Sequence, residues 1–323
     1  MKSIKVGLLL LLGFVPIMMF AQVAEKSEST VADSAVGVAI LDDEAKEGTS
    51  TKQNSLLWEI SGNGLEEPSY LFGTIHIIGK EDYFWTDLME EKFQQTEKLV
   101  LEIDMGKNQM MMMLSLISKM RMKDGKTLHD LLTEKEYKEV EDYFMDNMGM
   151  SLATFDRFKP IFTSMIIAQG EAGEAGSMED SKSYEMELVE KAKQRKMKID
   201  GLETVAYQIS MFDSIPYETQ AEMLIEAINA EVDSGETTFD DMVELYKNQD
   251  LEGLYAMITE EDSEIEGYED LLLVTRNKNW IPLIAEMTAK NPTFIAVGAG
   301  HLPGKSGVIN LLIAAGYTLT PLR

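Results

Sequence analysis

Short apolar runs lie near both ends of the chain, and each has the length and composition of a buried β-strand. The first two runs are separated by a turn rich in glycine, asparagine and proline, which predicts a β-hairpin. The six predicted strands are Leu56–Ile60, Ser69–Phe72, Leu99–Ile103, Met197–Asp200, Phe294–Val297 and Tyr317–Pro321.

Between these runs, apolar residues recur at helical spacing, so the middle of the chain, roughly Gly106 to Trp280, is predicted to be mostly helical. Thr133 and Glu136 form a capping box at the start of one helix. The predicted helices are Glu81–Glu97, Gln109–Met122, Tyr137–Met148, Leu152–Ala168 with a break at Pro160, Ser183–Lys196, Tyr217–Val232, Phe239–Tyr246, Leu271–Lys290 and Gly307–Ala315. Strands mixed with helices in this way indicate an α/β fold.

The N-terminal residues 1–21 have the parts of a secretory signal peptide. Lys2 and Lys5 form a basic segment, Gly7–Phe20 is apolar, and Ala21 is a small residue before a plausible cleavage point. The apolar run is shorter than the roughly 20 residues that a transmembrane helix needs. We therefore expect cleavage and export to the periplasm or the extracellular space, with no membrane span in the mature protein.

The composition of residues 22–323 separates a linker from a folded domain and limits the kinds of ligand that the protein could bind. Residues 22–54 are acidic and have little apolar periodicity, which predicts a disordered linker, and residues 55–323 are predicted to form the folded domain. A net charge of −27 is unsuited to binding nucleic acid. Because the chain has no cysteine, any metal ligands must come from histidine, aspartate and glutamate.

Two matched motifs carry most of the candidate chemistry. Gly73-Thr74-Ile75-His76 follows the second predicted strand, and Gly298-Ala299-Gly300-His301 follows the fifth, so these motifs contain two of the three histidines in the chain. Ligands of open α/β sheets bind beyond the carboxyl ends of the strands. If both motifs belong to one site, the strands that precede them must meet in one sheet.

Polar residues at other strand ends and on one helix could complete this site. Glu102 closes one predicted strand, and Glu203 follows another. Imidazole and carboxylate together are ligands for divalent ions such as Zn, Mn, Fe or Co. Arg276 and Asn277 could bind a substrate carboxylate, although an ordinary structural ion pair is the alternative. Either glutamate could equally be structural, with Glu203 favoured by the dipole at the start of a helix.

These segments, taken in order, resemble the TraB/GumN family. The resemblance rests on Leu71–His76, Leu101-Glu102, Gly201–Thr204, Arg276-Asn277 and Val297–Leu302, and it covers about Ser55 to Arg323. It implies a central mixed β-sheet with a large helical insertion, similar to TIKI, ChaN-like and erythromycin-esterase proteins. One departure is Ser183-Tyr184-Glu185, which stands where many relatives have Gly-x-Asp.

The resemblance also implies an activity. We predict an exported metal-dependent peptidase, in which His76, Glu102 and His301 bind Mn, Co or Zn and Glu203, Arg276 and Asn277 act in catalysis on a peptide or protein substrate. The alternative is a protein that binds a peptide, haem or a metal without turnover, with which the acidic charge and the many methionines are compatible. The oligomeric state, the metal and the substrate stay open at this point.

Overall fold

The computed structural model describes residues 54–104, 117–174, 181–234, 238–259 and 267–323. Its strands are β1 (Leu57–Gly62), β2 (Ser69–Thr74), β3 (Ile78–Gly79), β4 (Lys98–Ile103), β5 (Ser181–Lys182), β6 (Lys198–Glu203), β7 (Thr293–Gly298) and β8 (Tyr317–Leu322). Six of them form one sheet in the order β6-β4-β7-β2-β1-β8, while β3 and β5 pair separately.

The central sheet is mixed. Strands β6, β4, β7 and β2 run parallel, whereas β1 pairs antiparallel with β2 and with β8. This arrangement confirms the predicted α/β fold, its mixed sheet and its first hairpin. It also confirms that strands from the two ends of the chain meet, because β2 lies beside β7.

The helices mostly follow the predicted pattern. They are α1 (Asp87–Gln94), α2 (Glu134–Met148), α3 (Pro160–Glu174), α4 (Tyr184–Gln194), α5 (Val205–Met211), α6 (Tyr217–Ser234), α7 (Thr238–Lys247), α8 (Leu251–Thr259), α9 (Thr275–Thr288) and α10 (Val308–Ala314). The capping box forms as predicted, since Thr133 Oγ1 accepts from the Glu136 amide and the Glu136 carboxylate accepts from the Thr133 amide.

Three predicted boundaries are wrong. Strand β6 continues to Glu203, so Glu203 ends the strand and does not follow it. The predicted helix Glu81–Glu97 contracts to α1, which begins only after Thr86 caps it. The predicted helix Leu271–Lys290 divides into a π-helical turn, Asp270–Val274, and α9. Its first turn therefore has the wider π form, and such turns are frequent at functional sites.

Two apolar cores hold the domain together. Strands β2 and β7 are buried along their whole length, as expected for central strands covered on both faces. A second apolar cluster joins α2, α3 and α6, so the helical middle packs around a core of its own. The predicted signal peptide and linker, and most of the predicted helix Gln109–Met122, lie outside the described residues.

Nothing in the described ranges has both the length and the apolar character of a transmembrane helix.

Candidate functional site

The four parallel strands bring the predicted residues to one edge of the sheet. His76 lies two residues beyond β2, and His301 lies three residues beyond β7. Glu102 is the penultimate residue of β4, and Glu203 is the last residue of β6. Because parallel strands end on the same side, residues far apart in sequence meet there. Within the β2–β7 pair, Gly73 is opposite Val297 and Thr74 is opposite Gly298, so the two motifs are neighbours.

The first glycine of the first motif permits this close approach. A Cβ atom on Gly73 would lie 3.1 Å from Ala299 Cα and 3.1 Å from Leu302 Cδ2. The turn of the second motif therefore packs directly on the backbone of the first, which a larger side chain would obstruct.

Arg276 on α9 links both acidic residues of the site. Its Nη2 donates to Glu102 Oε2 at 2.6 Å, and its Nε donates to both carboxylate oxygens of Glu203 at 3.1 Å. Its Nη1 donates to the Leu272 carbonyl, in the π-helical turn, at 3.1 Å. The side chain is fully buried, and although burial lowers the pKa of Arg276, the two carboxylates outweigh this effect and raise it. Arg276 is therefore a fixed cation in the middle of the site.

Asn277 and Arg276 together fix the tautomer of His301. Arg276 Nη1 lies 3.0 Å from His301 Nε2, and since a guanidinium only donates, Nε2 must accept. The ring hydrogen is then on Nδ1, which donates to Asn277 Oδ1 at 2.6 Å. The Asn277 amide nitrogen in turn donates to the Ser306 carbonyl at 2.9 Å. Every partner in this chain of hydrogen bonds is consistent with a neutral imidazole.

Glu102 is held from three directions. Its Oε1 accepts from the Gly298 amide at 2.7 Å, and its Oε2 accepts from Arg276 and from Gln208 Nε2. Gln208 also donates to Glu203 at 3.0 Å, so it bridges the two carboxylates. Burial raises the pKa of Glu102, and the opposing charges of Arg276 and then of His76 only partly offset that effect.

Glu185 holds His76, and the sequence left its role open. His76 Nδ1 lies 3.2 Å from Glu185 Oε1, which also accepts from Thr74 Oγ1 at 2.6 Å. Ser183 Oγ donates to the other carboxylate oxygen at 2.8 Å. Burial raises the pKa of Glu185, but the charge of His76 and these hydrogen bonds outweigh it and lower the pKa. The departure Ser183-Tyr184-Glu185 thus still supplies a buried carboxylate.

Hydrogen bonds link five of the six predicted residues, Glu102, Glu203, Arg276, Asn277 and His301. His76 follows the neighbouring strand and contacts Glu185. Two further residues were not named as site residues by sequence reasoning. Gln208 and Glu185 complete the hydrogen bonding of the carboxylates and of His76, respectively. The departure at position 185 was a usable signal for Glu185. Nothing in the local pattern around Gln208 distinguishes it, because its partners come from other elements. His129, the third histidine, is exposed and stacks on Tyr137 away from the motifs.

The imidazole and carboxylate groups of the site are of the types that bind divalent metal ions. His301 Nε2 and Glu102 Oε1 lie 4.0 Å apart, so they would have to move closer together to become two tetrahedral ligands about 2.0–2.2 Å from one ion. A carboxylate on Nδ1 of His76 is the usual partner of a histidine that binds metal through its other nitrogen. Across the described ranges, however, no group of three or more histidine and acidic side chains already stands in a coordinating arrangement.

Gly201, in the first part of the Gly-Leu-Glu-Thr motif, is predicted to be intolerant of any side chain. A Cβ there would lie 2.3 Å from the Asp104 amide nitrogen and 2.8 Å from the Ile103 carbonyl carbon. Since both contacts are backbone, β4 and β6 would have to separate, and we expect Gly201→Ala to reduce the free energy of unfolding by about 1–3 kcal/mol. Urea denaturation measures this loss.

Lys198→Ala is the control for Gly201→Ala because Lys198 is an exposed residue of the same strand. Its effect should stay within about 0.5 kcal/mol. Equal stability of Gly201→Ala and the wild-type protein would mean that the two strands do not approach as closely as described.

By its fold and site, this is an α/β protein with histidines, carboxylates and an arginine at the carboxyl edge of its sheet. The sequence model of the TraB/PrgY/gumN family matches residues 56–321. The chain belongs to the TraB/PrgY/gumN family. This assignment confirms the resemblance seen in the motifs.

A curated relative and the solved structures add a limited comparison. The chain is 22% identical over 315 residues to metalloprotease TIKI2 of Danio rerio. The match covers 82% of this chain but only 60% of the relative, so the chain spans less than two thirds of that protein. No solved structure matches the chain at a significant level.

Proposed function

We propose that this protein is an exported, metal-dependent peptidase that hydrolyses peptide or protein substrates at the edge formed by the two G-x-x-H motifs. The observation that carries this proposal is the convergence of two oriented histidines and two arginine-bound glutamates from four parallel strands. Membership of the family and similarity to a protein named as a metalloprotease support the reaction class. The N-terminal signal pattern supports export.

His76, Glu102 and His301 would hold the ion, Mn, Co or Zn. When bound, such an ion polarises a carbonyl group and lowers the pKa of a water molecule. Both histidines are already turned by a partner on Nδ1, namely Glu185 for His76 and Asn277 for His301, so Nε2 is the nitrogen that would face a ligand. This is the arrangement that fixes ring orientation before a ligand arrives. In His301, Nε2 accepts from Arg276 in the present structure.

The remaining residues orient and neutralise the site. Arg276 and Gln208 each donate to the carboxylates of Glu102 and Glu203 and hold them side by side. Without these donors, the two buried negative charges would repel each other. Glu203 is the acidic residue to act as general base toward a water molecule, because a carboxylate fixed by donors keeps its geometry during proton transfer. Asn277 contacts His301 and carbonyl groups, so its role is to position the imidazole.

Substitution of either motif histidine should abolish peptide cleavage. We expect His76→Ala and His301→Ala each to reduce turnover by roughly 100-fold or more, since each removes a ligand of the ion. The measurement is mass spectrometry of a peptide mixture incubated with the protein and Mn²⁺, Co²⁺ or Zn²⁺, compared with incubation in chelator.

His129→Ala is the matched control, because it removes an exposed histidine outside the site. It should cleave at the wild-type rate. Undiminished cleavage by both motif variants would refute the proposal, and metal or haem binding with no cleavage by the wild-type protein would favour a binding function.

A further inference from the structure

Arg276 occupies the position that a metal ion would be expected to take among the acidic and imidazole groups. Its guanidinium contacts Glu102, Glu203 and the Nε2 of His301 at 2.6, 3.1 and 3.0 Å, respectively. Carboxylate oxygens and imidazole nitrogen are also the ligands that divalent ions select. One positive charge of the protein itself therefore already satisfies groups that a metal would use.

The contact with His301 involves the lone pair that a metal needs. Because Arg276 can only donate, Nε2 of His301 accepts, and Nδ1 is committed to Asn277 Oδ1 at 2.6 Å. Neither nitrogen of this ring can bind an ion unless a hydrogen bond is given up. Asn277 is anchored on the Ser306 carbonyl at 2.9 Å. The guanidinium of Arg276 keeps its bonds to Glu203 and to the Leu272 carbonyl if the single contact of Nη1 with His301 is lost. The contact between Arg276 and His301 is thus the one that yields.

The net charge of Glu102, Glu203 and Arg276 also indicates that the guanidinium opposes metal binding. Two carboxylates and one guanidinium leave the cluster with one net negative charge, and removal of the guanidinium would leave two. A divalent ion beside Arg276 would face a like charge in a buried environment, where charge interactions are stronger than in water. Without Arg276 the same ion would neutralise both carboxylates.

We propose that Arg276 is a resident cation that competes with divalent metal for Glu102 and His301, so that the ion binds only when the guanidinium releases His301. This inference rests on the proposed function in placing the metal at this site. It implies that the wild-type protein binds metal weakly and that loss of the guanidinium strengthens binding.

The test is a titration of the full chain with Co²⁺. Calorimetry and the visible absorption of the bound ion measure the binding. Arg276→Met, which replaces the guanidinium with a shorter, uncharged side chain, should bind Co²⁺ roughly 10-fold or more tightly than the wild-type protein. Arg276→Lys, which keeps a positive charge, should bind more weakly than Arg276→Met. The double variant Arg276→Met/His301→Ala should lose the gain, because the strengthened site includes His301.

Equal or weaker Co²⁺ binding by Arg276→Met would overturn the proposal, as would a gain that persists in the double variant. If Arg276→Met does not fold in chelator, far-UV circular dichroism decides the question. Recovery of the fold on addition of Co²⁺ supports competition, and no recovery contradicts it. Peptide cleavage by the wild-type protein is a separate measurement, so failure of the proposed peptidase activity and failure of this inference give different results.

Discussion

Replacement of Arg276 by methionine is expected to reduce the free energy of unfolding by about 3–5 kcal/mol in metal-free buffer at neutral pH, because it leaves buried carboxylates without their cation. Glu102 and Glu203 both bond to the guanidinium, and Gln208 alone cannot supply a charge to replace it. Urea denaturation followed by circular dichroism measures the loss.

The loss caused by Arg276→Met should depend on pH with a definite sign. Burial raises the pKa of Glu102, and the positive charge of Arg276 opposes that rise. A carboxyl group with a raised pKa stabilises the folded state most at low pH, and this contribution is lost as the pH rises through the pKa. Without Arg276 the pKa of Glu102 rises further, so the gap between variant and wild type should shrink as the solution is acidified from neutral pH.

The double variant Arg276→Met/Glu102→Gln is the control for this prediction. Glutamine keeps the shape of Glu102 and removes its charge, so part of the lost stability should return, and the two substitutions should not be additive. Additive losses at neutral pH, or a gap that widens on acidification, would mean that the ion pair is not what holds these groups.

Replacement of Trp280 by alanine is expected to cost about 3–5 kcal/mol of stability, since a fully buried ring is lost and a cavity remains. The centroid of the Trp280 ring lies 4.5 Å from the centroid of the His301 ring. The guanidinium carbon of Arg276 lies 5.0 Å from the same Trp280 centroid. The cavity would therefore open directly beside two site residues. Thermal and urea unfolding measure the loss, and the Co²⁺ absorption spectrum reports any change at the site.

Trp280→Phe is the matched control because it keeps an aromatic ring. Among the residues that the structure describes, the buried Nε1 of Trp280 has no hydrogen-bond partner. Substitution by phenylalanine therefore removes no hydrogen bond of this nitrogen. We expect less than half of the loss seen with alanine. A phenylalanine variant as unstable as the alanine variant would show that a contact of the indole nitrogen, and not ring packing, matters here.

The local elements were predictable because their causes are local. The capping box at Thr133 and Glu136 involves residues three positions apart, and it forms as the sequence predicts. Strands β4 and β7 were recognisable as dense apolar runs, which are typical of central strands buried on both faces. The error at the end of β6 has a physical reason, since the pairing of Gly201 with Leu101 and of Glu203 with Ile103 extends a strand whose own pattern is weak.

The candidate site divides in the same way. Which residue types carry the chemistry could be read from the two G-x-x-H motifs and from the family resemblance. Their contacts could not, because Arg276 reaches Glu203 across 73 positions and Glu102 across 174. The bond from Gln208 to Glu102 spans 106 positions, and it left no local pattern.

The sequence by itself therefore determined the classes of element, the absence of cysteine chemistry, the family and the two histidines of the matched motifs. Only the tertiary structure decided that β2 and β7 are adjacent, that Glu185 holds His76, and that Arg276 lies among the groups a metal would need. The reason is that helix and strand formation depend on neighbours in sequence. Hydrogen bonds and ion pairs of a buried site instead depend on how distant segments are brought to one edge of the sheet.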